Sequence, residues 1–140
     1  MECVVTNKVV VSQNQGRDLS SFGWFVFALK NIANFNGRAR RKEFWYYMLF
    51  SGVATMLISF VSQAIALSVL GSQEIGGVVT LFICLPLNFA AFSVFIRRLH
   101  DVGRSGWWVW VPIAPLVFAF FDSEAGANQY GPSPKYDLVN

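Results

Sequence analysis

Residues 44–70 read FWYYMLFSGVATMLISFVSQAIALSVL, twenty-seven positions without a formal charge. A helix needs about twenty apolar residues to cross roughly 30 Å of hydrocarbon, so this stretch is long enough to span a bilayer with some tilt. A second charge-free run, IGGVVTLFICLPLNFAAFSVFI, covers residues 75–96 and also suits a crossing. The third, WWVWVPIAPLVFAFF at residues 107–121, is shorter and carries Pro112 and Pro115, each of which removes a helical donor and kinks or breaks a helix. It either crosses as a short helix or bends back as a re-entrant segment.

Whole-chain composition agrees. Of 140 residues, 54% are apolar or aromatic and only 14% are charged, and the mean hydropathy is +0.45. A soluble domain carries nearer a quarter charged residues. A water-soluble globule of this size would have to hide more apolar surface than its interior can hold, so the expected solvent is a bilayer.

Orientation follows from Lys and Arg, which are enriched on cytoplasmic flanks. Ten of the eleven fall before residue 44 or in the loop 97–106: Lys8, Arg17, Lys30, Arg38, Arg40, Arg41, Lys42, Arg97, Arg98 and Arg104. Opposite them stand Lys135 and the acids Glu74, Asp122, Glu124 and Asp137. The asymmetry predicts that the N-terminus and the loop 97–106 lie in the cytoplasm. The C-terminus lies outside if the third run crosses and inside if it is re-entrant. Trp45, Tyr46 and Tyr47 beside RARRK, and Trp107 and Trp108 beside Arg104, predict an aromatic belt at the basic interface.

Residues 1–18 read as a mobile cytoplasmic tail without a cleavable signal pattern. From Asp18-Leu-Ser20-Ser21 a polar cap precedes FGWFVFALKNIANF, with Phe22, Phe25, Val26, Leu29 and Ala33 at helical spacing. Too short to span, it predicts an amphipathic helix over 20–35, lying on the cytoplasmic leaflet or packed against the bundle. The expected fold is therefore all-α: an integral membrane helical bundle over 19–121, with that helix and hydrophobic helices at about 44–70, 75–96 and 107–121. Residues 122–140, with Gly126, Gly131, Pro132 and Pro134, read as a polar C-terminal tail.

No ionisable residue lies inside the three runs, which counts against a proton-coupled pump. The runs instead carry small and polar residues at helical spacing: Gly52, Thr55, Ser59 and Ser62 in the first, and Gly77, Thr80, Cys84 and Asn88 in the second. Such seams let transmembrane helices approach and exchange hydrogen bonds, so these residues are expected to pack helix on helix. The alternative is a polar path past Gln63 and Asn88. Three helices leave little room for one, so a small-solute transporter or channel would need a homo-oligomer. Cys3 and Cys84 lie in different compartments and lack metal-ligand companions, so neither a disulfide nor a metal is expected.

Two blocks beside the spans carry the specific signal: FNGRARRKEFW at 35–45 and RRLHDVGRSGWW at 97–108. With GANQYGPSP at 126–134, they resemble the signature of the YhaH-like bacterial inner-membrane family, a domain family of unknown function, over about residues 22–134. The resemblance implies a small multi-spanning inner-membrane protein and supplies no catalytic residue, substrate or cofactor.

Read as chemistry, Arg38, Arg41, Arg97, Arg98 and Arg104 outnumber Glu43 and Asp101, which are expected to bridge to them. Each juxtamembrane cation attracts anionic headgroups by about 1 kcal/mol, and Ser105 begins the third run at a position suited to a cap. These residues are candidates for binding an anionic phospholipid headgroup or a membrane protein partner. The alternative is that the arginines set topology and tie the loops together. His100, Asp101 and Ser105 are the residue types of a hydrolase triad, but no strand-turn-helix context surrounds the serine. A lone His100 is a poor zinc site. RARRK directly before a span is a topology flank rather than a nucleic-acid patch. The expectation is a non-enzymatic membrane component without cofactor.

Overall fold

A computed structural model describes residues 19–134, and within them the regular structure is helical. The helices are α1 (Ser21–Lys30), α2 (Arg41–Leu70), α3 (Gln73–Asp101) and α4 (Ala114–Phe120), with a 3₁₀ turn at Gly106–Trp110 before α4. The tail 1–18, Cys3 and residues 135–140 lie outside the described residues.

The two long charge-free runs sit within α2 and α3, each extended toward the basic loops to thirty and twenty-nine residues. Gly71 makes them a tight antiparallel hairpin. It sits at φ +64, a left-handed conformation that glycine adopts without a Cβ penalty. Its N–H donates to Leu67 O and that of Ser72 to Ala66 O. Beyond the turn, Gln63 closes the hairpin: its amide nitrogen donates to Gln73 O (3.0 Å) and its oxygen accepts from Gly77 N–H (3.3 Å). Further along, Ser62 and Thr80 share a hydrogen bond of 2.5 Å between their hydroxyls. At the other end Phe44 meets Phe95 edge-on, with centroids 5.2 Å apart.

α1 begins where Ser20 Oγ accepts from Gly23 N–H at 3.1 Å. The helix bridges the hairpin. Phe22 packs on Phe50 of α2 and Phe25 on Tyr47, while Ser93 of α3 donates to the carbonyls of Asn31 and Asn34 beyond its C-terminus. Trp24 and Ala28 are buried, and Ala28 joins Phe44, Tyr47, Ala90, Val94 and Ala119 in the core. Helical structure stops at Lys30 rather than running to residue 35.

For the third hydrophobic run the sequence left two forms open, a short crossing helix or a bent-back segment. It is not one crossing helix but a 3₁₀ turn, a bend at Pro112 and a seven-residue helix. At about 1.5 Å per residue α4 is near 10 Å long, a third of the hydrocarbon thickness. The run goes out along α3 and returns: Trp110 meets Phe92, Phe118 meets Trp108, and Phe120 meets Trp45. A broad base thus surrounds one end of the hairpin, while the α2–α3 arm beyond it is two helices alone, with most of its large apolar side chains exposed.

Candidate functional site

The base is organised around Asp101, the last residue of α3, whose side chain has no exposure. Arg38 comes from the extended segment before α2 and places its Nε 3.0 Å from Asp101 Oδ1. The other oxygen accepts from Arg98 Nη1, one turn back on α3, and from Ser123 Oγ at 2.5 Å. A buried charge is tolerated only when paired and hydrogen-bonded, and here one carboxylate receives three side-chain donors.

Both arginines, and Arg41 beside them, also donate to carbonyls. Arg38 Nη2 donates to Asp101 O (3.1 Å) and Glu124 O (2.5 Å), and Nη1 to Gly126 O (2.8 Å). Arg98 Nη2 donates to Phe121 O, which also accepts from Arg41 Nε at 2.6 Å. Arg41 Nη2 takes Phe120 O at 2.5 Å. The carbonyls at the end of a helix have no intrahelical donor, and cationic donors suit them. Two arginines therefore hold the returning end of the third run against the hairpin.

A second buried pair lies alongside, Arg97 Nη1 to Glu43 Oε1 at 2.7 Å, both side chains nearly inaccessible. Ala39 N–H donates to the Arg97 carbonyl at 3.0 Å, fixing the segment that carries Arg38.

Residues 122–134 fold back onto this base. Gly103 turns the chain out of α3 at φ +70, a left-handed conformation that favours glycine, and Glu124 N–H donates to Asp101 O at 3.0 Å. Asn128 Nδ2 donates to His100 O (3.0 Å), and the His100 ring stacks on Tyr130 at 3.8 Å and 5°.

The structure thus divides the residues singled out in sequence. Arg38, Arg97 and Arg98 are buried and face Asp101, Glu43 and loop carbonyls rather than the surface. Arg41 is half-exposed and stands 3.8 Å from Asp122. Arg104 is exposed, its guanidinium carbon 5.6 Å from the centre of the Phe118 ring. Ser105 is exposed and caps the 3₁₀ turn. Lys30 and Lys42 are exposed on the same end. His100, Asp101 and Ser105 do not form a relay: Asp101 is saturated by arginines and Ser123, His100 stacks on Tyr130, and Ser105 accepts from Trp107 N–H.

The packing seam divides as well. Ser62, Thr80 and Cys84 turn into the hairpin and Thr55 and Ser59 are half-exposed, but Gly52, Gly77 and Asn88 are exposed on the arm, with Asn88 Nδ2 donating to Cys84 O of its own helix. Residues at steps of four drift about 40° per step around a helix, and two helices share only one narrow stripe. Within one chain Gln63 is engaged at the hairpin turn while Asn88 is exposed on the arm.

Ser123, Asn128 and Tyr130 were missed in the sequence reading. Asn128 and Tyr130 had one signal, the block at 126–134, which reads locally as loop but supplies the Gly126 carbonyl to Arg38; Ser123 lies before that block.

Comparison with known proteins places these features in a family. The family model described as Protein of unknown function (DUF805) matches residues 32–132, which contain every residue of the ion cluster. The chain is 33% identical over 123 residues to Inner membrane protein YhaH of Escherichia coli (strain K12), covering 81% of this chain and 98% of that protein. It is 31% identical over 120 residues to Inner membrane protein YhaI of the same organism, covering 81% and 96%. No solved structure matches.

Proposed function

We propose, from the premise that this chain belongs to the DUF805 family and is an all-helical membrane protein, that it is a non-enzymatic inner-membrane component whose basic end engages anionic phospholipid headgroups. One observation carries the reading: the exposed cations Lys30, Lys42 and Arg104 and the Trp side chains gather at one end of the hairpin, while Glu74 is the only charged residue between 44 and 96.

Counting about twenty residues, or 30 Å, along α3 from Glu74 reaches Val94. Trp45, Tyr46 and Trp110 then stand at the hydrocarbon edge, where such side chains prefer to lie, while Tyr47 is buried in the core. The ion cluster falls just outside it. With two crossings, both ends of the described chain share a side, which the basic excess makes cytoplasmic.

In this reading the headgroup contacts belong to the outward-facing Lys30, Lys42, Arg104 and half-exposed Arg41, with the Ser105 hydroxyl beside them. Arg38, Arg97 and Arg98 act indirectly, by holding the base together. The test is lipid retention by purified protein in nanodiscs of mixed phosphatidylglycerol and phosphatidylcholine. Replacing Lys42 and Arg104 by Gln is expected to weaken anionic-lipid retention about fivefold per cation, at about 1 kcal/mol each. Unchanged retention refutes the headgroup contact; a closed ring of many subunits without selective lipid moves the reading to an oligomeric pore.

A further inference from the structure

Gly106–Phe121 carries no charge, and while Ala114, Pro115 and Ala119 turn inward, several of its large apolar side chains are exposed: Trp107 is 79% exposed, and Trp110, Ile113 and Phe120 are each 68% exposed. Such a patch facing water would drive aggregation. The segment is not free to swing away. Gly106 abuts Ile96 of α3, where a Cβ would come within 3.0 Å of the Ile96 side chain, and Phe121 O is held by Arg41 and Arg98.

Its reach is limited by the contacts that bound it. Trp110 touches Phe92, with centroids 6.1 Å apart, and Phe92 lies nine residues before Asp101, about 13 Å along the helix. From Phe92 to the far end of α3 remain nineteen residues, about 28 Å. That is close to a full hydrocarbon thickness with no third element beside it among the described residues. Arg104 at the entry of the segment is exposed and stacked on Phe118, so a cation marks the headgroup side of the patch. On another face of the hairpin, the segment after α1 meets α3 at Ser93, about 100° around the helix from Phe92, and α1 presents Phe22 and Lys30 outward.

We infer that Gly106–Phe121 is a one-leaflet anchor: it lies among the upper acyl chains of the leaflet at the basic end, does not cross, and with α1 gives the protein a larger cross-section in that leaflet than in the other. The occupant of the apolar patch is lipid, because the patch is continuous with the exposed apolar surface of the α2–α3 arm. The geometry makes the protein a wedge, two helices wide in one leaflet and collared in the other.

The test uses full-length protein carrying Trp24→Phe and Trp45→Phe, which leaves Trp107, Trp108 and Trp110 as reporters, in phosphatidylcholine vesicles with nitroxide placed near the glycerol or near the chain end. Interfacial segments sit about 5–10 Å deep, so quenching by the shallow nitroxide is expected to exceed that by the deep one at least about twofold. Equal or stronger quenching by the deep nitroxide overturns the proposal, as does dominant quenching by aqueous iodide. If the Trp variant does not fold, Ile113→Cys on a Cys3→Ser, Cys84→Ser background answers the same question: labelling by an impermeant maleimide from the Glu74 side overturns it, and protection from both sides supports it. The zwitterionic vesicles keep this result separate from the anionic-headgroup reading, so either can fail alone.

Discussion

Arg38 and Asp101 are sixty-three residues apart in sequence and meet as a fully buried pair, Nε to Oδ1 at 3.0 Å, with Arg38 Nη2 also taking the Asp101 backbone carbonyl. The contact joins the segment before α2 to the residue that ends α3. Arg38 then reaches on to Glu124 O and Gly126 O, so one guanidinium ties three stretches of chain together.

Replacing Asp101 with Asn removes the one carboxylate that faces both Arg38 and Arg98. Stranding a buried charge costs about 3–5 kcal/mol. Asp101→Asn is expected to lower the unfolding midpoint in detergent by that equivalent, whereas Glu124→Gln, whose side chain is exposed, is expected to stay near wild type. Equal effects of the two would show that the ion cluster does not hold the base.

Lysine keeps the charge of Arg38 but cannot present donors in a planar fork to a carboxylate and several carbonyls. Arg38→Lys is expected to free the loop 122–131 while leaving α2 and α3 intact. Limited proteolysis should show faster cutting in that loop with unchanged helical circular dichroism. A loop as resistant as wild type would mean that Asn128 and Tyr130 hold it without Arg38.

The hydroxyls of Ser62 and Thr80 meet between the crossings. Interhelical hydrogen bonds in membranes average about 0.6 kcal/mol and reach about 1.7. A double-mutant cycle of Ser62→Ala and Thr80→Val is expected to give a coupling in that range. Additive single effects would place the two hydroxyls out of contact.

Adjacent glycines are expected to respond oppositely. A Cβ on Gly76 would lie 3.0 Å from the Gln63 Cα, backbone that cannot move aside, whereas one on Gly77 meets nothing nearer than 3.9 Å. Gly76→Ala should therefore destabilise the hairpin by about 1–3 kcal/mol. Gly77→Ala should be neutral or stabilising by up to about 1 kcal/mol through helix propensity. Detergent unfolding of the two variants side by side decides it.

Much of this protein was legible along the chain. Runs of twenty-seven and twenty-two uncharged residues can satisfy their backbone groups in lipid only as helices, so the hairpin helices and the bilayer follow from composition and length. The concentration of Arg and Trp at one end is equally local information, and the prolines of the third run signalled its weakness as a crossing.

Which arginine turns inward was not legible, because that is set by what covers it. Arg97 and Arg98 differ by about 100° around α3, yet both are buried, one against Glu43 and the other beneath the carbonyl of Phe121. Arg104, in an equally basic context, is left outside. Ser123 and Tyr130 read as parts of a polar tail because nothing in their local sequence records Asp101 or His100. By itself the sequence determined where the chain leaves water, since transfer of each segment depends on its own side chains. Only the tertiary structure decided the fate of the third run and of the charges: a buried ion is stable solely when chain distant in sequence brings it a partner.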